Sequence, residues 1–569
     1  MSDPRRGALW RRIKSSERIK IASYFLLFAF QIILFTAVFY VAYPILEKKS
    51  ISWPQSLFFV VETVTTVGYG ELPPFQNDIT LFITIVMMIT GIILIFMIIP
   101  LFLVPILSSL FRSDPPRRPP YDLEGHVIIV GYGKLTQSLV ESLSISSLPL
   151  LIVVEDPGLA RVAARETVAH AFVMWGDYGE NEVWVNAGVK HAHTIILTED
   201  ERTSAAIVLG IRGLVTGRII AVVDKLSSER YLRYAGAEYV LSAKHVTGKI
   251  LARHATLTSH IDTIIEETIS DGVPADLLTE TGTRLRIVNL PILGGSYAAG
   301  KTLRELDLFG KFGFFTLLIS RGGHFRLYPA DDEVIDTTTM LFLIGPVNRI
   351  EEMVRAVFMA PEERKEIALI GGFGDVGLSV YNELTNLGIE CIAIDKKKYG
   401  VSQVIGNAED ESVLREARIE DARFYIVALN NDDLNIFTTL IARNLNPDIR
   451  ILARANEPGS VAKLYRAGAD YVALLPSIGG QVIGGVVLSD IIHVILNLPD
   501  GQKVVRKRVK TSDGQTVGWL EKKARVTIVG VECRERSIVK PSSEYQLSFG
   551  DGLIAIGHSS GLKRLIEFA

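Results

Sequence analysis

Three glycine-punctuated loops carry the residue types and spacings that could do chemistry, and each would do it with backbone. In Thr66-Val67-Gly68-Tyr69-Gly70 the glycines allow backbone angles closed to other residues. Successive carbonyls from Thr66 to Tyr69 can then turn to one side and offer oxygens to a cation. Gly372-Phe373-Gly374-Asp375-Val376-Gly377 follows the apolar run Ile367–Ile370 and precedes Asp395. Glycines there let backbone approach a pyrophosphate, a helix N-terminus faces its charge, and an acid about 20 residues on accepts ribose hydroxyls. Gly131-Tyr132-Gly133-Lys134-Leu135-Thr136 repeats this ahead of Glu155, with Thr136 where the third glycine would allow close helix-to-strand packing. That copy reads as a second nucleotide site or as a purely structural repeat. Later strand ends meet the same crevices, at Gly176 and Asp177 in one copy and Asn407, Asn430 and Arg454 in the other. Each of these serves equally well as an ordinary turn or surface polar group.

The 569 residues suggest about four folding units at roughly 150 residues each. A hydrophobic fraction of 48%, a charged fraction of 22% and a mean hydropathy of +0.28 exclude a disordered or fibrous chain and place part of it in a bilayer. The net charge of −3 gives no global reason to expect nucleic acid. Cys391 and Cys533 cannot form a disulfide framework, so a reducing compartment is expected for most of the chain. Ile21–Tyr43 (23 residues) and Ile79–Phe111 (33 residues) lack formal charge and exceed the roughly 20 residues a membrane-crossing helix needs. Arginines and lysines precede the first run and follow the second, which predicts both termini in the cytoplasm. Pro100 and Pro105 predict a kink or exit near the end of the second span.

Between the spans, Ser52 can cap a helix, Pro54 fits its first turn, and the apolar run to Thr65 makes about three turns of re-entrant helix. Irregular backbone at membrane depth needs surrounding protein or a water-filled cavity, which one two-span chain cannot supply, so a homotetramer is expected. Glu62 and Glu71 read as a carboxyl pair bracing the loop, or Glu71 as a solvated group at the outer mouth.

Thr66–Gly70 is the signature pentapeptide of potassium-channel filters, and its assignment to that role rests on resemblance. With its flanking spans it resembles the prokaryotic two-transmembrane potassium channels. That resemblance implies potassium ions in the filter and a bending point in the inner helix at Gly91, which otherwise reads as close packing. Phe96 and Met97, one to two turns on, are candidates for an apolar constriction.

The segment Ser113–Pro120 is proline-rich and reads as a semi-rigid tether. Beyond it Arg218–Val240 matches Arg450–Val472 at a constant shift of 232, a tandem duplication of alternating strand and helix. Each copy resembles the RCK, or KTN, regulatory domain. The expected fold class is a membrane α-helical two-span pore domain plus two α/β Rossmann-like RCK domains, each with a small α+β C-terminal lobe. The expected boundaries are 1–111 for the pore domain, 112–124 for the linker, 125–357 for the first RCK domain and 365–569 for the second. Within these the Rossmann-like lobes span 125–245 and 365–476, the crossover helices 246–282 and 477–502, and the C-lobes 283–357 and 503–569.

The resemblance implies a ring of such domains under a tetrameric pore in the cell's inner (plasma) membrane, with the RCK domains cytoplasmic. It implies gating of the inner helices by NAD or another adenine nucleotide, and regulation by a divalent cation such as calcium. Glu199-Asp200-Glu201, Asp331-Asp332-Glu333 and Asp432-Asp433 offer oxygens for such a cation, but charge runs are usually solvated faces. The competing functions are a potassium-transport subunit, whose chain usually repeats the pore loop, and an NAD-dependent membrane oxidoreductase, for which no motif supplies an acid, base or nucleophile. The expectation is a channel and not an enzyme.

Overall fold

A computed structural model describes residues 4–70, 72, 74–97, 115–167, 171–256, 285–359, 367–498, 501–510, 515–533 and 536–569, with side chains from residue 23 onward. The chain divides into two units, Met1–Asp114 and Pro115–Ala569. Glu71, the prolines at 100 and 105, and residues 257–284 of the first crossover segment lie outside the described residues.

In the first unit, helix Pro4–Glu47 contains the apolar span Ser23–Glu47, and a second span follows at Asp78–Phe96. At 1.5 Å per residue, the 19 residues of the second span reach about 28 Å, close to the hydrocarbon thickness of a bilayer. Between them helix Trp53–Val64 begins with a reciprocal capping box, in which the Ser52 hydroxyl accepts from the Gln55 backbone N–H and the Gln55 side chain accepts from the Ser52 N–H. Its inner face, Phe59, Val60 and Val64, joins Phe39, Tyr43, Ile51 and Met87 in one apolar core. Phe59 lies 4.5 Å, ring to ring, from Phe39. Gln31 donates to Thr90 across the two spans at 2.8 Å.

Among the described residues the second unit holds four sheets. The first is parallel, with strands β1 (Val127–Val130), β2 (Leu150–Val154), β3 (Phe172–Trp175), β4 (Thr194–Leu197), β5 (Arg218–Val222) and β6 (Tyr239–Leu241) in the order β3-β2-β1-β4-β5-β6. Next come β7 (Leu285–Pro291), β8 (Phe315–Arg321), β9 (His324–Leu327) and β10 (Thr339–Pro346), antiparallel in the order β7-β10-β8-β9. The second parallel sheet repeats the first with β11 (Ile367–Gly371), β12 (Glu390–Asp395), β13 (Gln403–Ile405), β14 (Phe424–Val427), β15 (Arg450–Ala455) and β16 (Tyr471–Leu474) in the order β13-β12-β11-β14-β15-β16. The last sheet, β17-β18-β21-β19-β20, uses β17 (His493–Asn497), β18 (Gln502–Arg508), β19 (Thr527–Glu532), β20 (Ser537–Val539) and β21 (Gly552–His558). Strands β1, β2 and β4 are buried at every position, as expected for a parallel sheet covered on both faces by helices.

One boundary differs from expectation. The segment 477–502 is not all helix: helix Leu475–Leu488 ends, and β17 pairs antiparallel with β18, so the second C-lobe begins before residue 503. Val494 alone of its five residues is fully buried and the other four are half-buried, so the run shows no two-residue burial period that would mark a strand, and so short a run fits an amphipathic helix as well. The tether also docks where it is described. Pro116 carbonyl accepts from the Trp175 N–H at 3.2 Å, and the Arg117 guanidinium sits 4.4 Å from the Trp175 ring centre.

The two repeats pack by reciprocal helix crossings. Helix Ala243–Thr256 of the first lies on helix Asp375–Asn386 of the second, and helix Leu475–Leu488 of the second lies on helix Lys134–Leu143 of the first. Each crossing is made at a glycine, and Gly248 and Gly480 are related by the shift of 232. A Cβ on Gly248 would stand 2.5 Å from Ser379 Cβ, and one on Gly480 would stand 2.9 Å from Ser138 Cβ.

Candidate functional site

In the pentapeptide, Thr66, Gly68 and Gly70 have φ of +62°, +59° and +75°, so left-handed backbone occurs at every second residue. Sequence reasoning assigned that freedom to the glycines alone, and Thr66 is the third such position. The loop is tied to the helix before it, because the Glu62 carbonyl accepts from the Val67 N–H at 2.9 Å and from the Gly68 N–H at 3.2 Å. Tyr69 stacks on Phe58 at 6.0 Å. The Glu62 side chain is buried, and its Oε2 has no hydrogen-bond partner among the described residues. Gly91 is buried within an unbroken helix, and a Cβ there would meet Val64 Cα at 3.2 Å, so its lack of a side chain lets that helix approach the one before the loop. Phe96 and Met97 are exposed on the single chain.

The second repeat's crevice lies at the strand ends where the sheet order reverses, between β11 and β14. Gly372 turns at φ +90°. A Cβ on Gly377 would lie 2.0 Å from the Gly372 carbonyl oxygen, so the third glycine lets the helix close onto the turn. Gly374 has open space beside it, and helix Asp375–Asn386 starts without a side-chain cap, leaving its N–H groups facing the crevice with Val376 buried behind them. Asp395, at the end of β12, accepts from the Phe373 N–H at 2.8 Å and from the Lys397 N–H at 2.9 Å, so it also holds the glycine turn. Buried Arg454 donates to Asn430 at 2.9 Å and to Asn456 at 2.6 Å. Burial lowers its pKa from the ordinary value, opposed by the charges of Asp432, Asp224 and Asp375. Asn407 Oδ1 is buried with no hydrogen-bond partner among the described residues. The arrangement offers uncapped amides, a buried guanidinium and a carboxylate at the same end of the central strands.

The first repeat's crevice has the same turn and a different wall. Gly131 turns at φ +94°, and a Cβ there would lie 2.8 Å from both Glu199 Oε1 and Thr198 Oγ1. At the matching place, Gly372 faces Leu429 and Ala428. A carboxylate thus stands beside the glycine turn in one copy where the other has a leucine. Tyr178 donates to Glu199 at 2.9 Å, and burial followed by the Glu199 charge pushes the Tyr178 phenol up. Thr136 donates to the Gly131 carbonyl at 3.2 Å, so the hydroxyl occupies the space that Gly377 leaves in the second copy. Gly133 starts helix Lys134–Leu143 without a side-chain cap, Glu155 is exposed, and Asp177 accepts from the Gly179 N–H. Lys134 is paired with Glu457 of the second repeat.

Sequence reasoning missed Asn435 and Asn456. Buried Asn435 donates to the carbonyls of Leu429 and Arg454, both at 3.0 Å, joining the ends of β14 and β15. An amide on the apolar face of helix Asp432–Leu445 was the available signal. The acidic runs do not converge. Asp200 caps helix Glu201–Ile211, Glu333 pairs with Arg321 and Arg326, and Asp432 accepts from the Asn456 and Glu457 N–H groups. Among the described residues no group of three or more carboxylate, histidine or cysteine side chains is placed to hold a metal ion.

Comparison with known proteins bears on this arrangement directly. The TrkA-N domain family matches residues 127–243 and 368–475, and the ion channel family matches residues 27–105. A probable potassium channel protein 2 of Methanocaldococcus jannaschii is 31% identical over 244 residues, covering 38% of this chain and 71% of that protein. The chain belongs to the potassium channels with RCK domains. Potassium channel protein 1 of the same organism is 27% identical over 218 residues, spanning 35% of this chain and 66% of that protein. Among solved structures, the GsuK channel bound to NAD is similar over 97% of this RCK channel and 99% of that chain, with 25% identity and a TM-score of 0.55. This RCK channel is thus a membrane protein, with two apolar spans and two Rossmann-like domains.

Proposed function

We propose that this chain forms a homotetrameric, potassium-selective channel of the inner (plasma) membrane, with both termini and both RCK domains in the cytoplasm. In this reading Thr66–Gly70 is the selectivity filter, braced by Glu62 and Glu71. An adenine nucleotide, with NAD named for the similar GsuK structure, binds the second repeat's crevice and biases the inner helices around Gly91, Phe96 and Met97. Gly372, Gly374 and the amides at Asp375 and Val376 take the phosphates, Gly377 permits the turn, and Asp395 takes the ribose. Asn407, Asn430 and Arg454 line the remainder.

The observation that carries the choice of crevice is the wall beside the glycine turn. Glu199 opposes a phosphate next to Gly131, and the helix after Gly133 begins with a lysine already paired. Leu429 at the second crevice carries no such charge. The energetics are sufficient. Four sites that each prefer the open ring tenfold contribute about 1.4 kcal/mol apiece, together roughly the 5.5 kcal/mol that takes a pore from 1% to 99% open.

Single-channel recording from purified protein in planar bilayers, with NAD added to one side, tests the reading: potassium-selective openings are expected to change in probability and not in amplitude. Asp395→Ala is expected to shift the NAD dose response at least about tenfold to higher concentration, because it removes a charged hydrogen-bond acceptor and frees the Phe373 N–H. An unchanged dose response would move regulation to another site. Glu199→Leu is expected to raise NAD bound at saturation from one toward two per chain in equilibrium dialysis, whereas a wild type that already binds two would contradict the closure of the first crevice.

A further inference from the structure

The second crevice is not built from the second repeat alone. Helix Ala243–Thr256 of the first repeat reaches it, and at its second position Lys244 Nζ lies 3.5 Å from Asp375 Oδ2 and 2.8 Å from Asp224 Oδ2. Asp375 is the first residue of the uncapped helix after Gly374, where the phosphates of a bound nucleotide would sit. The Lys244 side chain is 23% exposed and the Asp224 side chain 68% exposed, so one carboxylate can swing to solvent when an anion arrives. Arg454 reports the same neighbourhood, since the charges of Asp224 from the first repeat and Asp375 from the second both act on it.

We propose that Lys244, supplied by the first repeat, binds the phosphates of a nucleotide seated in the second repeat's crevice, exchanging its contacts with Asp375 and Asp224 for phosphate oxygens. The proposal rests on the nucleotide reading above. A nucleotide held in this way touches both repeats, so its binding acts on the crossing at Gly248 and Ser379 as well as on the crevice. Among the described residues the first crevice receives no matching cation at the repeat-related position. At the repeat shift of 232 the position of Lys244 is occupied by Pro476, and the second repeat presents Glu457 to Lys134 instead. The two crevices therefore differ in what the opposite repeat delivers as well as in their own walls.

The test is calorimetric titration of the full chain in detergent micelles with NAD and with ADP. Lys244→Met is expected to weaken both ligands about tenfold or more, the scale of one charge-assisted hydrogen bond to phosphate, and Lys244→Arg to stay within about threefold of wild type. Asp224→Asn removes the competing carboxylate and is expected to tighten both ligands severalfold. The opposite signs separate phosphate binding from packing, because breaking the Lys244–Asp224 pair from either side would act in the same direction if the pair merely held the repeats together. Unchanged affinity in Lys244→Met, or weakening by both Lys244→Met and Asp224→Asn, would overturn the proposal while leaving the nucleotide reading intact. Failure of the wild type to bind either ligand would overturn the nucleotide reading and this proposal with it.

Discussion

Gly68→Ala channels are expected to conduct without selecting potassium over sodium, while still assembling as tetramers. At φ +59° Gly68 occupies the left-handed region, and a Cβ there would meet no atom of its own chain within 4 Å. The penalty within the chain is therefore torsional and not steric. A non-glycine residue held there costs roughly 1–2 kcal/mol, and four copies around one axis multiply it to about 4–8 kcal/mol. The carbonyl ring relaxes before the helices do, since the helix before the filter is anchored by a capping box and an aromatic core that the substitution does not touch. Thr66 already adopts φ +62°, which shows that one left-handed side chain is accommodated. An alanine at position 68 is expected to relax away from φ +59° and so to break the alternation of left-handed residues at 66, 68 and 70. Bi-ionic reversal potentials decide the matter: a potential that still tracks potassium alone would contradict the filter assignment.

Gly377→Ala is expected to abolish the nucleotide response and leave selectivity unchanged. The added methyl would stand 2.0 Å from the Gly372 carbonyl, a backbone atom, so the turn must open or the helix must retreat. Overpacking of this kind costs about 1–3 kcal/mol in stability, and the amides that would face the phosphates move with the helix. The first repeat supplies the internal control, because Thr136 sits at the matching position and donates to Gly131 instead of packing flat. Calorimetry with NAD should show no measurable binding, and circular dichroism should show a folded chain. Retained binding at wild-type affinity would place the ligand away from this turn.

The left-handed turns at Gly68, Gly70, Gly131 and Gly372 were legible in the sequence, because glycine spacing records backbone geometry locally. The capping box at Ser52 and Gln55, the acid at the end of β12 and the doubling of the sheet were legible for the same reason, as each is set by residues near one another in the chain. Glu199 shows where that reach ends. It appeared as one member of an acidic run, and only the register of β1 with β4 brings it beside Gly131.

Lys244 lies some 130 residues before the glycine turn it approaches, and nothing local marks it as different from any other lysine at a helix start. Strand β17 was hidden because its five residues bury only Val494 fully and carry no two-residue period that would separate a strand from a helix. The sequence by itself therefore determined the two apolar spans, the glycine-bearing loop between them, the tandem Rossmann-like repeats and the glycine turn that opens each repeat. Which turn is walled by an acid, which receives a cation from the opposite repeat, and how Gly248 and Gly480 let the repeats interlock were decided by the tertiary structure alone, because those contacts join residues that meet only after the sheets have formed.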